Sequence, residues 1–209
     1  AVLHAGYKKH EVIVLEVARQ TIVSRTPVPE AFYGLQFSPD GTRLYCSGAT
    51  DEVLHSFAFA GGSLSDGQRV DLHPGTRRGV PGGIAVGSAG TVYSTSVWGH
   101  RISRLRDGKV DELDLLEHRQ SSPTPPSAVE SETNRQGEPD ARRAATKRAE
   151  AESEHFLGDE PFPYACVLDE KKQRLYVSLW AQASVAVIDT AAFKVVARWK
   201  TEEHPNELI

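Results

Sequence analysis

The side chains with the clearest chemical potential sit in a few short stretches. His73-Pro74-Gly75-Thr76-Arg77-Arg78 puts an imidazole close to two adjacent guanidiniums. Guanidiniums grip phosphate or carboxylate through paired N–H donors, so this loop suits an anionic group. The plainer reading is a solvated basic loop. Trp98 and Trp180 each lie seventeen residues after a proline, Pro81 and Pro163. That spacing predicts equivalent positions and either an aromatic rim that stacks on a ligand or a repeated aromatic packed between structural units. His100 follows Trp98 in Gly99-His100-Arg101, and His204 precedes Pro205. Both histidines are also readable as turn residues. These side chains (Trp98, Trp180, Arg77, Arg78, His73, His100 and His204) are the candidate ligand contacts.

No catalytic residue and no metal ligand is assigned. The histidines are scattered, with no pair at ligand spacing and no CxxC. Asp51, Glu52, Asp169 and Glu170 fall where exposed turn charges are ordinary. No Gly-x-Ser-x-Gly elbow and no phosphate-cradling glycine loop is present, and no cofactor is expected. A net charge of -4 gives no electrostatic argument for nucleic acid. No apolar run reaches the roughly 18 residues of a membrane span. Cys46 and Cys166 read as small buried hydrophobes rather than a disulfide or a metal pair.

These residues are carried on a repeat. Phe32 to Tyr45 alternates Leu35 and Phe37 with Gly34 and Gln36, turns at Ser38-Pro39-Asp40-Gly41, and resumes at Leu44-Tyr45. This is a strand, a tight turn and a second strand. Twelve residues separate Tyr33 from Tyr45 and also Tyr164 from Tyr176. Arg174-Leu175-Tyr176 repeats Arg43-Leu44-Tyr45. A middle copy, Pro81 to Tyr93, is one residue shorter at its turn, and another begins at His204-Pro205-Asn206-Glu207-Leu208. Two further strand-like runs follow each complete copy, with Gly61-Gly62 marking one hairpin. Four strands in a unit of about 40–50 residues is the period of a β-propeller blade. The predicted fold is therefore all-β, a propeller of four-stranded antiparallel blades.

The predicted division is a partial blade over 1–31, blades over 32–80, 81–118 and 157–203, and a first strand over 204–209. Three complete blades and parts of two others suggest a piece of a larger ring. The alternative is a closed ring of four blades with an interlocked seam. Residues 119–156 break the pattern. They carry Ser121-Ser122-Pro123-Thr124-Pro125-Pro126 and then a run rich in Glu, Arg, Lys and Ala, without the apolar content to order itself. The expectation is a charged, flexible insertion between blades, or an arm over one face of the ring.

The Ser38-to-Tyr45 turn, Leu175-Tyr176-Val177-Ser178, Val185-Ala186-Val187-Ile188-Asp189-Thr190-Ala191 with Lys194-Val195-Val196, and His204-Pro205-Asn206 together resemble the YVTN-type, YncE-like propeller repeat family. More narrowly, Tyr33-Gly34-Leu35, Leu175 to Trp180 and His204 to Leu208 are similar to the propeller half of bacterial proteins in which a propeller precedes an alkaline-phosphatase-like phosphoesterase. That resemblance implies a bacterial, periplasmic or secreted protein and a covalently linked phosphoesterase outside these residues, none of whose motifs occur here. The expected role is a non-catalytic binding or scaffold module, taking a protein or small molecule at a propeller rim or channel. The alternative is a lactonase-like hydrolase of a sugar lactone.

Overall fold

A computed structural model describes residues 1–6, 9–72, 79–116 and 160–209. The architecture is all-β, with fifteen strands in four antiparallel sheets among the described residues. The first sheet has three strands: β1 (Val2–His4), β2 (His10–Glu16) and β3 (Thr21–Val28). The second comprises β4 (Leu35–Phe37), β5 (Arg43–Ser47), β6 (Val53–Ala60) and β7 (Ser63–Asp71). The third comprises β8 (Pro81–Val86), β9 (Val92–Ser96), β10 (Arg101–Arg106) and β11 (Lys109–Asp114). The fourth comprises β12 (Pro163–Asp169), β13 (Arg174–Leu179), β14 (Ser184–Asp189) and β15 (Lys194–Lys200). Each sheet is an up-and-down meander in chain order. Residues 204–209 contain no strand.

The two-residue period decides the packing. Alternate side chains of each sheet face opposite ways, and one face packs on the next sheet in the array. Val12 and Val28 meet Leu44, Cys46 and Phe57 at the first junction. Tyr45 and Leu54 meet Ile84 and Val92 at the second. Tyr93 and Ile102 meet Leu175, Val177 and Ile188 at the third. Leu44, Ile102, Leu175 and Ile188 are fully buried, each contributing about 1.5–3 kcal/mol of hydrophobic stabilisation. Burial pushes the Cys46 and Cys166 thiols up to about 12, as expected of inert core cysteines.

A repeated latch holds the innermost strand of each full sheet. Two residues after each of Tyr45, Tyr93 and Tyr176 stands a buried hydroxyl: Ser47, Thr95 or Ser178. Each accepts the N–H of an equivalent inner-strand residue, Gly34 at 3.0 Å, Gly83 at 2.8 Å and Ala165 at 2.9 Å. Ser47 and Thr95 also donate, to the Phe32 and Tyr164 carbonyls respectively. The Thr95 bond crosses between sheets. A buried backbone donor left unpaired is costly, which explains a hydroxyl at all three positions.

The turns are locally closed. Asp40 Oδ1 accepts from the Ser38 hydroxyl at 2.5 Å and from the Thr42 N–H at 3.0 Å, and Gly41 takes φ 71°. Gly61 and Gly62, at φ 57° and 81°, close the β6–β7 hairpin.

Candidate functional site

Strand register sorts the connections into two ends. Pro81 pairs with Ser96, Ser96 with Arg101 and Arg101 with Asp114. The start of the inner strand, the second-to-third-strand turn and the end of the outer strand therefore share one end of each sheet. All the described candidate residues lie at that end, as do the points where the chain leaves at Leu116 and returns at Glu160. His73, Arg77 and Arg78 lie outside the described residues, as does the 119–156 segment.

Trp98 and Trp180 are not equivalent. Pro81 pairs with Ser96, whereas Pro163 pairs with Leu179. Trp180 therefore matches Val97. The amides of Val97 and Trp180 make the same bond, each donating at 3.1 Å to the carbonyl of the residue before its proline, Val80 or Phe162. Counting from the prolines passes through a turn that is one residue shorter in the middle copy. Counting from Tyr93 and Tyr176 gives the structural register. The displacement turns Trp98 outward, with 62% of its surface exposed, while Trp180 is half-buried.

Both tryptophans nevertheless belong to aromatic pairs at this end. Trp98 meets the edge of Phe162 at 5.1 Å between centroids. Trp180 lies 4.1 Å from the His204 ring, tilted 34°. Tyr33 and Tyr164 stack at 4.5 Å, with Phe32 edge-on to Tyr164 at 6.1 Å. The equivalent residue in the sheet between them is Gly82. A Cβ on Gly34 would come within 2.1 Å of the Gly82 carbonyl oxygen, and one on Gly83 within 2.5 Å of the Tyr164 carbonyl oxygen. Side-chain-free backbone in the middle inner strand thus lets the flanking strands approach and their tyrosines touch. Burial, then the neighbouring Tyr164, raises the Tyr33 hydroxyl pKa. The copies Tyr-Gly, Gly-Gly and Tyr-Ala carried the signal for this stack.

His100 is the most enclosed of the candidates. Its Nε2 lies 3.3 Å from Glu160 Oε2, and its ring meets the edge of Phe162 at 4.8 Å. Its Nδ1 is buried without a hydrogen-bond partner among the described residues. Burial lowers its pKa, opposed by Glu160 and Asp114. The backbone explains its place. Glu52, His100 and Ala183 all close the second-to-third-strand turn in the left-handed region, at φ 57°, 54° and 43°. Their carbonyls accept the N–H of Leu72, Leu115 and Thr201 respectively. Glu52 instead uses its carboxylate to accept the Gly79 and Val80 N–H groups, at 2.7 and 3.0 Å. Sequence reasoning missed Glu160, because a long segment separates it from His100.

The four carboxylates considered for a metal do not converge. Asp51 and Glu52 lie at the aromatic end, Asp169 and Glu170 at the other. Asp169 pairs with Lys172 at 3.0 Å, and Glu170 accepts from the amide and hydroxyl of Ser88. Among the described residues no group of three or more His, Cys, Asp or Glu is placed to hold a metal ion.

No family profile matches the sequence, and neither does any curated protein sequence. Solved structures do match. Virginiamycin B lyase from Staphylococcus aureus superposes with a TM-score of 0.59 at 15% identity, covering 96% of this chain and 55% of that one. The fold is a β-propeller. The propeller reading also fits Kuenenia stuttgartiensis hydrazine synthase, with a TM-score of 0.54, 14% identity, and 85% and 38% of the two chains covered. A chain of a nidogen/laminin complex gives 0.53 at 14% identity over 92% and 55%. The chain thus spans less than two thirds of these propellers. No helix among the described residues is long and apolar enough to cross a membrane.

Proposed function

We propose that this propeller segment is a non-catalytic recognition module whose aromatic end receives a protein or a small molecule. The observation that carries the reading is the gathering of exposed or half-exposed rings at one end of the sheets. Trp98 leads, backed edge-on by Phe162, with the Tyr33–Tyr164 stack and the Trp180–His204 pair on the same end. Aromatic rings supply large contact area at low entropic cost, and a rigid sheet array holds them in place. The YVTN-like, YncE-like repeat supports a place in a bacterial extracytoplasmic protein, beside a phosphoesterase domain. Propellers host enzymes and binding proteins alike, so the site and not the fold must carry the assignment.

The test is capture of a partner from bacterial extract on the immobilised chain, beside Trp98→Ala and Trp180→Ala. The expected outcome is a partner retained by the unaltered chain and lost from Trp98→Ala. Retention by both variants would remove these rings from the site. Metal-dependent hydrolysis of a sugar lactone by the purified chain would replace the binding reading with the hydrolase one.

A further inference from the structure

One line of contacts at the ringed end joins an open ring to a carboxylate. Trp98 and Phe162 meet edge to face at 5.1 Å, and Phe162 and His100 at 4.8 Å. His100 Nε2 in turn lies 3.3 Å from Glu160 Oε2. Phe162 and His100 are buried, Glu160 is half-buried and Trp98 is exposed. The line crosses the junction of the third and fourth sheets: Trp98 and His100 stand between β9 and β10, and Glu160 and Phe162 lead into β12. Backbone fixes the base of the indole. The amides of Trp98 and Gly99 both donate to the Gly79 carbonyl, at 2.8 and 3.2 Å. The ring is thus held at its root and on one side by Phe162, with the rest of its surface in water.

Charge at this place is unbalanced. Among the described residues the only ionic partner of Glu160 is His100. Burial lowers the His100 pKa, so near pH 7 the imidazole is neutral and does not cancel the carboxylate. Donation from Nε2 to Glu160 leaves Nδ1 as an acceptor, and Nδ1 is buried without a partner. Asp114 is a second carboxylate acting on His100, and its Oδ1 accepts only the uncharged Leu116 amide among the described residues. Arg101 does not offset the two. Its guanidinium is engaged by Glu112 at 2.9 Å and by the Gly99 carbonyl at 3.1 Å.

Resting on the recognition reading above, we propose that the group received at Trp98 is an arginine side chain of a partner protein, stacked on the indole with its N–H fork turned to Glu160. A guanidinium is planar and permanently charged, so its face stacks on an aromatic ring. The same plane presents paired N–H donors to a carboxylate. A lysine ammonium carries the charge without the plane. An anionic group meets repulsion from Glu160 and Asp114, and an uncharged one leaves the Glu160 charge unanswered. Glu160 packs beside buried rings, where water screens it less than it screens a fully exposed carboxylate, so a cation gains more there.

The test is retention of short fluorescent peptides on the immobilised chain. One pool has a central arginine between randomised uncharged flanks, and two others carry citrulline or lysine in its place. Citrulline keeps the shape of the side chain and drops the charge. The arginine pool should be retained about ten-fold above the citrulline pool, with the lysine pool between them. Glu160→Gln and Trp98→Ala should each lower retention of the arginine pool about ten-fold, with an unchanged β-type circular dichroism spectrum. Should Glu160→Gln fail to fold, Glu160→Ser replaces it with the same expectation. Asp107→Asn removes an exposed charge from the β10–β11 hairpin at the opposite end and should leave retention unaltered, which separates the site from general attraction of cations. Equal retention of the arginine and citrulline pools, or of the arginine and lysine pools, overturns the proposal. So does full retention of the arginine pool by a folded Glu160 variant. The broader reading stands or falls separately: a partner captured from extract and lost from Trp98→Ala upholds it even where the peptides show no preference for arginine.

Discussion

The two ends of the sheets are built by different means. At one end the turn carboxylates are held largely by their own loops. Asp40 is bonded by Ser38 and Thr42, Asp189 by the amides of Ala191 and Ala192, and Asp169 by Lys172. These carboxylates are spent on their own loops. At the other end the side chains reach across the array: Tyr33 to Tyr164, His100 to Glu160, Thr95 to the Tyr164 carbonyl. The first end closes its hairpins and crosses between blades largely through polar contacts, such as Ser88 to Glu170 and Arg104 to the Thr190 carbonyl. The second adds ring contacts between blades and leaves rings facing water. The contrast teaches that the exposed rings sit beside ring contacts between blades, while the hairpin end joins blades largely through polar groups.

The comparison breaks most severely at Gly34. Gly34→Ala drives a Cβ into the Gly82 backbone oxygen, and backbone cannot swing aside. A loss of about 3 kcal/mol or more is expected in urea denaturation. Wild-type stability in this variant would show that the inner strands are not so close. Next comes Thr95→Val, which keeps the shape but strands the Gly83 N–H and removes a bond to the next sheet. It should cost about 1–3 kcal/mol. A neutral outcome would demote the latch to decoration.

Acid separates the ends. Burial lowers the pKa of His55 and of His100, so the folded chain keeps them neutral while the unfolded chain takes up protons. Their contribution is complete above the unfolded value of about 6.5 and is lost as pH falls through the folded pKa. The carboxyls of Asp40 (held down first by Ser38), Asp169 and Asp189 (first by the Lys172 and Ala192 amides) are lowered by their turn hydrogen bonds. Their stabilisation is complete above about 3.9 and is lost only below that. Urea midpoints against pH should therefore fall in two windows, and His100→Gln should flatten the upper one alone. The gentlest change is Trp98→Ala. At 62% exposure it should alter stability by no more than about 0.5 kcal/mol while removing ligand capture.

The repeat was legible because its signals are local. Alternation at Leu35 and Phe37 and the Tyr33–Tyr45 interval each occupy a few residues and recur, and the Pro-Asp-Gly turn marks the first copy. The structure added what no local pattern holds. Trp98 and Trp180 looked equivalent when counted from their prolines, because that count crosses the one turn whose length varies. The Tyr33–Tyr164 stack depends on Gly82 in a sheet between them. The His100–Glu160 contact joins residues on either side of the long segment after Leu116. Glu52 and His100 share a backbone position, yet only the three-dimensional surroundings reveal that one carboxylate is consumed by Gly79 and Val80 and one imidazole is not.

The hydroxyl latch at Ser47, Thr95 and Ser178 has a consequence for how such a chain tolerates change. It is a surveyor's datum: every strand is measured from the ringed end, two residues past a tyrosine. A residue gained or lost in the far hairpins, as at Gly87-Ser88-Ala89-Gly90, is absorbed before the count begins. The far loops are free to drift in length over generations while the rings keep their spacing, so insertions there leave the ringed end in place.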